Sequence, residues 1–156
     1  MNAAFAIGRV ALVAVFVISG VLKLLNIPGT ADLIQGKLVI PAQLSDLKTQ
    51  IETATSMSIW QILAIAAGLV EAGCGLLIAF GILTRTAAVV LLLFTAVVTF
   101  YFHDFWNMSG ADKDTNMIMA LKNLSIIGAL LMIAAWPRRV VVAEVATATG
   151  DRLEPL

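Results

Sequence analysis

The stretch IWQILAIAAGLVEAGCGLLIAFGIL, Ile59 to Leu83, decides how this chain is read. As a helix its 25 residues are long enough to cross a hydrocarbon core of ~30 Å. Glu71, near its middle, is the only charged side chain in it. A charge at that depth costs from roughly 3 to more than 10 kcal/mol. Glu71 should therefore face protein or water, be protonated, or be paired.

Three further apolar stretches flank this one: Ala3 to Leu25, Thr86 to Phe102 and Met117 to Trp136. Each is near or within the length of a spanning helix. In 156 residues, 60% are apolar and 13% charged, and the mean hydropathy is +0.97. Those values exclude an ordinary soluble domain and a disordered chain. The fold expected is an all-α integral membrane bundle of four helices. Residues 1–139 form one domain, with spans at about 3–25, 59–83, 86–102 and 117–136, and residues 140–156 form a short tail. The first stretch is read as a span and not a secretory signal, because no basic region precedes it and Arg9 interrupts it.

Arg9, Arg85, Arg138 and Arg139 lie at span ends on one side, against Lys37, Lys48 and Lys113 in the loops opposite. This bias favours both termini on the cytoplasmic side. Trp136, Pro137 and the two arginines then supply an interfacial aromatic, a helix stop and a cytoplasmic anchor in turn. Both outward loops exceed what antiparallel helices need. In the longer one, Asn26 to Ser58, Pro28, Gly29, Gly36 and Pro41 break the chain. Leu44, Leu47 and Ile51 then recur at helical spacing, which predicts a short helix across the bundle mouth or on the lipid interface.

Zero formal charge without a basic run gives no sign of a nucleic-acid partner. The single cysteine, Cys74, allows neither an internal disulfide nor a Cys-x-x-Cys dithiol, and reads as a small packing residue. No metal site is expected. His103 with Asp104 falls short of three or four convergent donors, and Asp112, Asp114 and Asn116 lack the glycine and closing acid of a calcium loop.

The polar residues of the spans follow helical stripes. Arg9, Phe16 and Lys23 are seven apart and share a face with Leu12, Val13, Ser19 and Gly20. Glu71 shares one with Ala64, Ala67, Gly68, Cys74 and Gly75, small residues that let a neighbouring backbone approach. Thr95, Thr99 and His103 step by four along the third span, and Lys122 and Asn123 sit on the fourth. At 1.5 Å per residue Glu71 lies ~10 Å from the levels of both Arg9 and Lys122. The sequence leaves Glu71 two candidate partners at those levels within a buried network of Arg9, Glu71, Lys122 and Asn123. Taken over the whole polar set, it should be bonded to at least one of Arg9, Lys23, Lys122 or Asn123.

The order Arg9, Ser19-Gly20-x-x-Lys23, Glu71 with Gly75 and Gly81, Leu83-Thr84-Arg85, Ala87-Ala88, His103 and Lys122-Asn123-Leu124 with Gly128 resembles the DoxX family of bacterial membrane proteins. The resemblance covers about residues 7–136. It implies a four-helix protein of the bacterial inner membrane, and the partners expected are lipid, other subunits of a membrane redox complex and further copies of itself. The family takes its name from a subunit of a terminal quinol oxidase, and DoxD-type relatives belong to thiosulfate:quinone oxidoreductases. No haem-ligand pair, dithiol or flavin fingerprint is present, so no residue is assigned as catalytic and the chain is not read as an enzyme by itself. The function expected is that of an accessory subunit contributing an anchor or a quinone site, with quinone held by Glu71, His103, Lys122, Asn123 and Lys23. The alternatives are an assembly or structural protein whose buried charges specify the bundle, and a proton or small-solute conduit.

Overall fold

A computed structural model describes residues 3–136. Four helices of spanning length run antiparallel in sequence order: α1 (Ala3–Leu25), α4 (Ile59–Phe80), α5 (Thr84–Phe102) and α6 (Gly110–Ala135). Two shorter helices, α2 (Ile27–Gln35) and α3 (Ser45–Thr55), build the first long connection. No strand occurs among the described residues. The all-α membrane bundle is thus the architecture observed. The Pro137, Arg138 and Arg139 anchor and the tail over 140–156 lie outside the described residues.

The local signals explain most of the boundaries. Ser58 and Gln61 form a reciprocal capping box at the start of α4, which satisfies two otherwise unpaired amides. At its other end the apolar run continues to Leu83 but the helix stops at Phe80, because Gly81 turns left-handed (φ 79°) and Ile82 N–H donates back to the Leu77 carbonyl. The third span begins at Thr84, two residues before the expected start, and the fourth at Gly110, seven before it. The extra turns of α6 carry Asp112, Lys113 and Asp114, polar residues that an apolar-run criterion leaves out.

The first connection differs from expectation in one element. Pro28 and Gly29 do not break the chain there; they lie in the first turn of α2, where the Asn26 side chain accepts from Gly29 N–H at 3.1 Å. A proline is tolerated at that position because its missing amide would have no helical partner. The amphipathic helix read from Leu44, Leu47 and Ile51 is α3. Its Glu52 carboxylate accepts from the Ile59 amide at 2.8 Å, tying it to the start of α4.

Two apolar clusters hold the bundle. Near the 81–83 turn, Val13 and Phe16 of α1, Ile78 of α4, Ala87, Ala88 and Leu91 of α5, and Leu130 and Ile133 of α6 form one core drawn from all four spans. Near the long loops, Ala31 and Ile34 of α2 pack on Ala64 of α4, with Trp60 and Phe102 beside them. The bundle is therefore closed at the turn end and roofed by α2 at the loop end.

Candidate functional site: a polar cleft at the α1–α4 crossing

Antiparallel α1 and α4 meet along their two stripes. Arg9, Val13, Phe16 and Gly20 are buried on one, and Ala64, Gly68, Glu71, Ala72, Gly75 and Ile78 on the other. The closest approach is at Gly20, where an added Cβ would sit 2.5 Å from the Ala72 amide nitrogen and 2.6 Å from the Gly68 carbonyl oxygen. This crossing sets the register, and the register sets the partners of every charge on the two helices.

Lys23 is the partner of Glu71. Its Nζ lies 2.7 Å from a Glu71 carboxylate oxygen and also donates to the Ser19 hydroxyl one turn back. Helical side chains lean toward their own N-terminus, so the ammonium runs inward along α1 instead of out toward the loops. The Glu71 side chain keeps only 7% of its surface exposed and that of Lys23 27%. Unit charges desolvated to this degree require such a contact. Glu71 is thus buried and bonded to one member of the polar set, Lys23.

Arg9 and Lys122 are placed elsewhere, so the four-residue network of Arg9, Glu71, Lys122 and Asn123 does not assemble. Arg9 is buried at the end of α4, where its guanidinium donates to the Ala79 carbonyl at 3.2 Å and borders Gly81. The last carbonyls of a helix carry partial negative charge, and they lie nearer to Arg9 than Glu71 does. Lys122 is exposed. Successive helix positions are ~100° apart, and α6 turns Asn123 toward α5, where it donates to the Thr99 hydroxyl at 2.9 Å. Lys122 then faces away from the core, with the exposed Ser125.

Between the two apolar clusters lies a cleft of about 600 Å³. Its walls are mostly apolar, from Phe16, Leu63, Val70, Phe94, Phe102 and their neighbours, and α2 roofs it with Thr30, Leu33 and Ile34. Of the expected ligand-binding residues, Glu71, Lys23, His103 and Asn123 all line it and Lys122 does not. Thr95 is buried in the wall with its hydroxyl bonded to the Leu91 carbonyl at 2.7 Å. His103 Nδ1 is 3.1 Å from Asn116 Oδ1, and Asn116 is oriented by its own amide donating to the Asp112 carbonyl. With that orientation Nδ1 is the donor, leaving Nε2 of a neutral ring as an acceptor.

Two features lay beyond the sequence reading. Lys37, at the end of the α2 segment, bonds Asp104 after α5 at 3.0 Å and so latches the first long connection to the second. Ser19 orients Lys23; its i−4 spacing from Lys23 was the available signal. Nothing in the spacing of Lys37 and Asp104, 67 residues apart, marks them as a pair.

Comparison with known proteins gives the chain a family. The DoxX family model matches residues 4–104, from α1 through the end of α5. The inner membrane protein YphA of Escherichia coli is 30% identical over 128 residues, covering 82% of this chain and 79% of YphA. The inner membrane protein YqjF of the same organism is 42% identical over 66 residues, covering 42% of this chain and 47% of YqjF. No solved structure matches. With its four membrane-crossing helices and these matches, the chain belongs to the DoxX family of multi-pass inner membrane proteins.

Proposed function

We propose that the protein is an accessory subunit of a membrane redox complex and that its cleft receives the ring of a quinone. The observation that carries this reading is the cleft itself: about 600 Å³ of mainly apolar space with Lys23, Glu71, His103 and Asn123 on its walls. Ligand sites of this kind combine apolar walls with a few placed polar groups.

The residues suit the group. Lys23 has three N–H donors, two of them directed at Ser19 and Glu71, which leaves a third for a ring oxygen. The Ser19 hydroxyl accepts from Lys23 and keeps its own proton to donate. Glu71 and His103 Nε2 supply acceptors for the hydroxyls of the reduced ring. The formal charges of Lys23 and Glu71 cancel, so the pair favours a neutral, polar ring over an anion. Bound quinone would bring two-electron chemistry, and the residues of this chain would hold and orient it.

The test is purification from its native membrane in mild detergent, followed by extraction of bound quinone, a melting curve with and without added quinone, and identification of copurifying proteins. Retained quinone, a raised melting temperature and a copurifying oxidoreductase subunit are expected. Absence of all three would overturn the proposal.

A second reading, that the Lys23–Glu71 pair only specifies helix pairing, draws on its position beside the Gly20 crossing. Under that reading Glu71→Gln lowers stability but leaves quinone retention unchanged.

A further inference from the structure

A second hollow, about 760 Å³, runs along the outside of the bundle between α1 and α2. Ile18, Leu22, Asn26 and Gly29 border it without bordering the cleft, and Ile18 and Leu22 are about 60% exposed toward the bilayer. The two hollows adjoin. Val15, Ser19, Lys23, Thr30 and Leu33 line both, so one layer of side chains divides the bilayer-facing groove from the interior. Lys23 belongs to that layer, with its ammonium on Glu71 inside and its flank toward the groove.

We infer that the α1–α2 groove is the lateral entrance of the cleft and holds the isoprenoid tail of the quinone whose ring lies within, an inference that rests on the function proposed above. A quinone with a long tail is dissolved in the bilayer and reaches a buried site from the side. Ile18 and Leu22 give the groove an apolar stretch, Asn26 at its border has its side-chain oxygen taken by the Gly29 amide, and the groove becomes polar on the cleft side at Ser19 and Lys23, the order in which such a molecule presents tail and ring. A phospholipid fits less well, because the internally neutralised Lys23–Glu71 pair leaves no net positive charge for its phosphate.

The test compares two probes on the full chain in lipid nanodiscs: a tailless methoxy-substituted benzoquinone, and the same ring carrying a long isoprenoid chain. Ile18→Trp and Leu22→Trp add bulk to the groove at positions that do not border the cleft. They are expected to weaken the long-chain probe about tenfold, the loss of roughly 1.4 kcal/mol of apolar contact, and to leave the tailless probe within about twofold. If both probes bind the variants as they bind wild type, the groove is not the tail path, although the cleft reading survives. Equal weakening of both would mean that the groove acts only through the cleft, and would also overturn the inference. If neither probe binds wild type, the proposed function fails and this inference with it.

Cross-linking gives a check that does not depend on the tryptophan variants. A photoreactive label on Leu22→Cys, in a Cys74→Ser background, should capture the quinone tail, while the same label on the lipid-facing Leu121→Cys of α6 captures phospholipid. Phospholipid at both positions overturns the assignment.

Discussion

Lys23 reaches Glu71 by folding back along α1, and this makes the pair a contact between two helices and not a pair of snorkelling charges. Removing one partner strands the other in an apolar surround, which typically costs about 3–5 kcal/mol. Lys23→Met and Glu71→Leu alone should each lower unfolding stability in detergent by roughly 3 kcal/mol. The double variant should recover most of that loss, because neither charge is then left unpaired. Equal, additive losses in such a cycle would show that the two residues are energetically independent. Arg9 is a separate case: its guanidinium lies so near Gly81 that a Cβ there would be 2.9 Å from a guanidinium nitrogen, and the residue's φ is 79°. Gly81→Ala should therefore cost about 1–2 kcal/mol from the left-handed backbone alone, read as a lower melting temperature.

At the scale of elements, α1 and α4 are joined by close approach at glycines, with Leu24 and Val17 of α1 seated against Gly68 and Gly75 of α4. In a bilayer, lipid tails solvate apolar side chains as well as a neighbouring helix does, so packing of small residues and polar contacts drive association. Gly20 shows the requirement most sharply, and Gly73 supplies an internal control, since a Cβ added there meets nothing within 4 Å. Gly20→Ala should destabilise by about 1–3 kcal/mol or more through overpacking, whereas Gly73→Ala should be neutral or slightly stabilising. Indistinguishable melting curves for the two variants would refute the crossing as drawn. The helix α2 matters for a different reason: its Ala31 and Ile34 seat on Ala64, and Lys37 then ties the segment to Asp104. That latch is an exposed pair, screened by solvent and therefore weak, so the apolar seat contributes most to holding the roof.

For the whole molecule, the arginine bias of the sequence expects the 81–83 turn on the cytoplasmic side and α2 and α3 on the other. The lone cysteine makes this measurable. In a Cys74→Ser background, Thr49→Cys on exposed α3 should react with a membrane-impermeant maleimide in cells whose outer membrane has been opened. Ile82→Cys at the exposed turn should react only after lysis. The opposite pattern would invert the protein in the membrane and put the cleft roof in the cytoplasm.

The length and apolarity of four runs, with few charges inside them, determined the membrane bundle from the sequence alone, since the cost of an unsatisfied backbone in lipid leaves a helix as the outcome for such a run. Stripe periodicity likewise showed which faces of α1 and α4 turn inward, and the cost of a charge at that depth led to the expectation of a buried, bonded Glu71. The choice among its partners was not legible. Arg9 and Lys122 stood as its two partners on the scale of helix rise, and only the Gly20 crossing slides α1 against α4 so that Lys23 meets Glu71 instead while Arg9 meets the end of α4. Rotation of α6 about its axis, set by burial of Leu130 and Ile133, turned Asn123 in and Lys122 out. Spans and faces follow from local composition and period; register, rotation and the cleft they enclose follow from contacts between residues far apart in the chain, which only the folded bundle supplies.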